Sequence, residues 1–327
     1  MQLLQRIKNG TPITQSELAS LEKIIYEKVE EEAKDFLRET FFKTLYIGYF
    51  GSGFAKSAAG ILYWPLRQLS NKDVRLTPGE EILYHTLPYH DEDSLVILFA
   101  EPGTENLVAK TSDAVRLTGS RMLVIAHPLP EIILSRITGP SITIDYQDLP
   151  LAFIIAAAKL ATMLSKSIGE IKIRTERVIS EYSEISTIYN DLINKYKNNI
   201  ADISDTIVRV KKVIIYTSPT LEPASNLLHW YLNTVAIESK LATISTLLSD
   251  ISTSINYLFM ETLSLIISTD VEADILREAK FKASLANIRS HLSELVIHTD
   301  PLTAPLYASL ISNKIYTTVV EKMIKNA

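Results

Sequence analysis

The chain has no cysteine in its 327 residues. That absence excludes a thiol nucleophile, a cysteine-ligated metal and a disulfide scaffold. A chain this long can bury enough apolar surface to fold without covalent staples. An excess of charge of one sign is also lacking. Lys and Arg number 33 against 38 Asp and Glu, a net charge of −5. Such a weakly acidic chain is not built as a general nucleic-acid binder, and no nucleic-acid partner is expected. The opening MQLLQRIKNG lacks the charged-then-apolar pattern of a secretion signal. The longest apolar run, Leu149 to Leu164, is short for a bilayer span and contains Lys159. It is expected as a buried helix, and no membrane partner is expected. The lack of cysteine fits a cytoplasmic protein. Abundant Ile, Tyr, Ser and Thr without Cys leans towards a thermophilic source.

Glycine is scarce, at 10 residues, and three of the ten, Gly48, Gly51 and Gly53, fall in the most informative stretch, Leu45 to Lys56. An apolar run (Leu45 to Ile47) meets the turn Gly51-Ser52-Gly53. Phe54, Ala58, Ile61 and Leu62 then share one face of a helix. The order is strand, glycine turn, helix. Backbone N–H groups at such a helix start approach an anion closely, and the helix dipole favours negative charge there. Two readings stay open: a phosphate cradle with Ser52 adding a hydroxyl, or a turn that only lets strand and helix pack tightly. No Walker lysine follows. Lys56 stands where a dinucleotide fingerprint needs its third glycine.

The rest of the chain repeats the alternation of strand and helix. Residues 1–42 read as a helix with a solvated charged face. A short apolar segment near Val74 suits a second strand. Ser94–Ala100 is a continuous apolar run, the mark of a central parallel strand. Arg121–Ala126 and Ser141–Tyr146 read as further strands, with helices from Leu107 to Leu117 and from Leu149 to Ser165. A long polar helical stretch, Ile171 to Ile200, follows. Then come a strand at Val213–Thr217, a helix from about Glu222 to Glu238, a strand at Ser264–Thr269, and a helix from Val271 to Ser290. A strand at Glu294–His298 and a helix from Thr303 to Met323 close the chain. Doubled strand–helix alternation predicts an α/β fold of two doubly wound parallel-sheet domains of flavodoxin type in tandem. The first is expected over 1–166 with an N-terminal helix, and the second over 167–327. Ligand loops then fall at the C-terminal strand ends, including Phe50-Gly51-Ser52, Ala100-Glu101-Pro102 and Thr217-Ser218-Pro219.

Tyr46-Ile-Gly-Tyr-Phe-Gly-Ser-Gly53 resembles the strand–glycine turn–helix that opens the sugar isomerase (SIS) domain, with Phe50 in place of the first glycine. Ala100 to Glu105 stands where that family has its hydroxyl-rich phosphate loop. Leu232 to Ala236 resembles its Asn-Glu-Asn-Ala segment, and Asp300-Pro-Leu-Thr-Ala-Pro305 resembles its turn before the last helix. The order of elements is most similar to the archaeal bifunctional phosphoglucose/phosphomannose isomerases. The resemblance implies a phosphorylated sugar as ligand, aldose–ketose isomerisation through an enediol, and a homodimer. It implies no cofactor and no metal. Gly51, Ser52, Gly53 and Thr104 would then bind the phosphosugar.

The departures fall on the chemistry. The family's glutamate base falls at Thr234, its histidine near Ile255, its arginine around Pro150 and its late lysine near Ile311. Glu105 would place a negative charge where a phosphate should sit. Catalytic positions are therefore expected to be degenerate, leaving a phosphosugar-binding protein. If a rearranged pocket retains activity, the candidates are Glu222, Glu238, His229 and Lys314. A non-catalytic structural or regulatory dimer is the third reading. Ile244, Leu247, Leu248, Ile251 and Ile255 form an apolar helical face that could meet a second subunit. His85 and His90, with Asp91 to Asp93, read as a solvated loop rather than a metal site. His127 ends a strand, at the cleft or in its loop, and His291 and His298 are too awkwardly spaced to share a ligand.

Overall fold

The computed structural model describes residues 13–89, 93–168, 173–253, 262–286 and 292–326. The chain divides into two compact units, Gln15–Ile188 and a second beginning at Tyr189. Each is built on its own parallel sheet.

The first unit contains β1 (Thr44–Phe50), β2 (Asp73–Pro78), β3 (Ser94–Ala100), β4 (Arg121–Ala126) and β5 (Ser141–Thr143). Their order is β2-β1-β3-β4-β5, all parallel. Its long helices are α1 (Gln15–Glu39), α2 (Phe54–Leu69), α3 (Glu105–Thr118), α4 (Leu149–Ile168) and α5 (Ile173–Ser183). Strand β3 lies in the middle, and every one of its residues is buried. Alternation across a strand sends its side chains to two faces. Val96, Leu98 and Ala100 pack with Val108, Ala109 and Val115 of α3. Phe99 points the other way, to Phe153 of α4, which also meets Phe54 of α2 edge-on at 4.9 Å. Both faces are covered, which is why the strand reads as an unbroken apolar run.

The run from Leu149 forms a helix of 20 residues, longer than expected and apolar enough to cross a bilayer. It is instead packed inside its unit, against α1 and α2. Lys159 is accommodated there because its Nζ reaches Glu30 at 3.1 Å and sits 4.9 Å from the Tyr26 ring centre. The long polar stretch is not one helix. It breaks into α5, α6 (Ile185–Lys195) and α7 (Lys197–Val210). The break before α6 is fixed by Glu22 of α1, whose buried carboxylate accepts from the backbone N–H of Ile185 and Ser186, each at 2.8 Å.

The second unit contains β6 (Lys212–Thr217), β7 (Glu238–Thr243), β8 (Leu263–Thr269) and β9 (Leu292–Ile297), ordered β7-β6-β8-β9 and parallel. Its further helices are α8 (Glu222–Thr234), α9 (Ile244–Thr253), α10 (Ala273–Leu285) and α11 (Ala304–Lys325). Helix α8 stops four residues before the expected Glu238. Ala236 takes φ 58° in the connection, and Glu238 opens a strand. Strand β7 escaped the sequence reading because it is a polar edge strand with no apolar run. The apolar face of α9 is also accounted for within this unit. Leu247 and Ile251 are buried with Tyr216, Ile266 and Leu276, and Leu248 packs against them, so among the described residues this face packs within its own unit.

Candidate functional site

The turn Gly51-Ser52-Gly53 joins β1 to α2 at the C-terminal edge of the first sheet. Its backbone follows from its residues. Gly51 adopts φ +100°, a conformation that costs little only without a β-carbon. Gly53 precedes α2, whose first N–H groups have no partner within the helix. Here they have one. Glu101 Oε1 accepts from Gly53 N at 3.0 Å and from Ala55 N at 2.9 Å. A β-carbon on Gly51 would stand 2.4 Å from Glu101 Oε2. The turn is therefore an anion cradle, and the protein's own carboxylate fills it.

Register explains how Glu101 gets there. Parallel pairing sets Phe50 opposite Ala100, and Glu101 N donates to Phe50 O at 3.1 Å. The residue after β3 thus lies beside the residue after β1. Burial pushes the Glu101 carboxyl above its usual range, opposed by the two backbone N–H donors. Ser52 is exposed at the rim of this turn.

The second turn, between β3 and α3, is also closed by its own groups. Thr104 Oγ1 donates to Glu101 O at 2.7 Å. Glu105 Oε1 accepts from Gly103 N at 2.9 Å and pairs with His127 Nε2 at 3.0 Å. Partial burial pulls the Glu105 carboxyl up. The N–H groups of Gly103 and Glu105 and the His127 imidazole more than offset this, holding it below the usual range. His127 thus borders this edge, and its Nδ1 is buried with no hydrogen-bond partner.

The candidates for rearranged catalysis do not converge. Glu222 opens α8 at the C-terminal edge of the second sheet. There it lines a hollow of about 220 Å³ with Thr217, Ser218 and Thr243. His229 lies two turns further along α8, roughly 10 Å at 1.5 Å per residue. Its Nδ1 is 2.9 Å from Ser239 Oγ, near the start of β7, and Asn233 Nδ2 lies 3.2 Å from its Nε2. Burial lowers its pKa, favouring neutral imidazole. Glu238 begins β7 beside Lys212, 3.5 Å away, also at the N-terminal edge. Lys314 is half-buried midway along α11. Among the described residues, no three His, Asp or Glu side chains are grouped to hold a metal ion. His298 instead pairs with Asp270 at 2.7 Å. His90, Asp91, Glu92, Ile255 and His291 lie outside the described residues.

No family model matches the chain, and no curated protein sequence does either. Solved structures do. A candidate phosphosugar isomerase from Clostridium difficile 630 superposes with a TM-score of 0.69 at 13% identity, covering 95% of this chain and 93% of that one. The C-terminal domain of glucosamine-fructose-6-phosphate aminotransferase from Francisella tularensis gives 0.67 at 13% identity, covering 98% of each chain. Glucosamine-6-phosphate deaminase from Thermotoga maritima gives 0.63 at 12%, covering 99% of this chain and 94% of that one. The protein therefore shares with these the tandem α/β fold with two parallel sheets.

Proposed function

We propose that the protein is a SIS-type sugar-phosphate-binding protein that does not isomerise its ligand. The observation that carries this reading is the cradle at the start of α2, where two backbone N–H groups converge on a single carboxylate oxygen of Glu101. That geometry suits a phosphate oxygen equally well. Similarity of fold to proteins named for phosphosugars supports the choice of ligand. The absence of isomerisation rests on chemistry. Proton transfer between adjacent carbons needs a base within hydrogen-bond reach of both. Thr234 stands where the family resemblance puts that base, and Glu222 lies two helical turns from His229 and at the opposite sheet edge from Glu238.

In this reading Glu101 is a plug. A phosphate entering the cradle must displace it, because two anions so close repel strongly in a half-buried site. Thermal unfolding with glucose 6-phosphate, fructose 6-phosphate and glucosamine 6-phosphate tests this, since a ligand of the folded state raises the midpoint. One of the three should raise it at millimolar concentration. Glu101→Gln should tighten that ligand about tenfold, and Ser52→Ala should weaken it. A flat response from both wild type and Glu101→Gln would sink the reading and favour a structural or regulatory role. A second reading has one observation in its favour, the Glu222 carboxylate at a hollow beside Ser218 and Thr243. It requires wild-type interconversion of glucose 6-phosphate and fructose 6-phosphate that Glu222→Gln abolishes.

A further inference from the structure

The opposite, N-terminal edge of the first sheet holds a hollow of about 820 Å³. It is formed where α1 ends, where the α2–β2 connection turns, and where α4 ends. That volume falls within the range of roughly 300–1,000 Å³ common for small-ligand sites. Among the described residues its lining carries five cations, Lys34, Arg38, Lys72, Lys159 and Lys166, against one carboxylate, Glu30. Glu30 holds Lys34 and Lys159, each at 3.1 Å. Arg38, Lys72 and Lys166 have no carboxylate partner among the described residues. In a chain of net charge −5, this is a concentrated positive field.

Helix ends explain only part of it. Arg38 and Lys166 stand in the last turns of α1 and α4, where the helix dipole favours cations. That does not account for Lys72, which comes from the α2–β2 connection, or for Phe41. The Phe41 ring is 69% exposed at the rim, with Lys72 Nζ 5.4 Å from its centre and 5.7 Å from that of the buried Phe42. An exposed aromatic face beside several unneutralised cations suits a ligand that is planar at one end and carries several negative charges at the other. A sugar monophosphate has the charge of a single phosphate and no flat ring. An inorganic polyanion has no use for Phe41.

The geometry points to a nucleotide site, in which a nucleoside di- or triphosphate lays its base on Phe41 and its phosphates among Lys72, Lys166, Arg38 and Lys34. The site is on the edge of the sheet away from Glu101, so it stands or falls independently of the sugar-phosphate reading. Titration calorimetry of the full chain at low salt, with ADP, ATP, GTP, adenosine and tripolyphosphate, tests it. ATP or GTP should bind, more weakly as salt rises, and adenosine should not. Lys72→Ala with Lys166→Ala should weaken nucleotide and tripolyphosphate alike by about tenfold or more. Phe41→Ala should weaken the nucleotide about fivefold and leave tripolyphosphate unchanged. Lys34→Ala is a second charge variant, at an exposed position of α1, and should weaken nucleotide and tripolyphosphate alike. Each variant should keep the wild-type unfolding midpoint. No heat from any nucleotide at millimolar concentration overturns the inference. So does tripolyphosphate binding as tightly as ATP with Phe41→Ala silent. Nucleotide affinity that rises in Glu101→Gln would place the ligand in the other cradle and overturn it as well.

Discussion

Gly51 and Glu101 are coupled through space. Replacing Gly51 by Ala imposes a β-carbon on a φ of +100° and pushes it to 2.4 Å from Glu101 Oε2. The backbone strain alone costs about 1–3 kcal/mol. Gly51→Ala should therefore lower unfolding free energy by that amount or more in urea denaturation. Adding Glu101→Ala removes the contact but not the strain, so the double variant should lose less than the sum of the two. Glu101 also makes stability depend on pH. Its carboxyl is raised on folding by burial, so the folded state binds the proton more tightly than the unfolded chain. Its contribution is present in full below the unfolded value and is lost as pH rises through the folded one. Glu101→Gln should flatten that fall in urea titrations across weakly acidic pH. Glu105 acts in the opposite sense. Its carboxyl is lowered, so its stabilisation is lost as pH falls. The sequence marked Glu105 as hostile to a phosphate, but gave no local sign that Glu101 reaches a turn about fifty positions away. Only the adjacency of β1 and β3 carries that information. Had the sheet order been assumed, the pairing of Phe50 with Ala100 would have predicted it.

Among the elements, α4 binds the first unit together. Phe153 lies fully buried between Phe54 and Phe99. Phe153→Ala should lower stability by about 3–5 kcal/mol, measured by urea unfolding, because the cavity it leaves cannot collapse freely. Buried strands and this helix were legible in the sequence because burial on both sides leaves unbroken apolar runs. Arg121–Ala126 matches its strand at both ends. Elements whose ends are set from elsewhere were not. The division of the polar stretch into α5, α6 and α7 depends on Glu22, more than 160 positions away in sequence. Strand β7 has the polar sequence Glu-Ser-Lys-Leu-Ala-Thr, and its start is marked by Ala236 in a left-handed conformation rather than by glycine. The helix starts share a theme. Glu22 caps α6 and Glu101 caps α2. Glu272 accepts from Thr269 N at 2.7 Å ahead of α10.

At the scale of the whole molecule, each unit has a strand buried at every position, β3 in one and β8 in the other. Amide hydrogen exchange on the intact chain should be slowest in these two strands, since exchange there requires opening the sheet from its centre. Faster exchange in β3 than in the edge strand β5 would contradict the described sheet order. The candidate catalytic residues were the least legible feature. A resemblance places residues along a chain, whereas catalysis depends on which edge of a sheet they occupy, and α8 carries Glu222 and His229 to opposite edges. The filled cradle has a consequence for selectivity. A tethered carboxylate competes with any free anion at an effective concentration of about millimolar or more. Apparent affinity for an outside anion falls by the fraction of molecules in which the tether is released. Inorganic phosphate offers only its charge and gains too little to evict the tether. If the cradle takes a sugar phosphate, as proposed, the further groups of that ligand can do so, and Glu101 would then set a threshold that filters abundant small anions from a rarer, larger one.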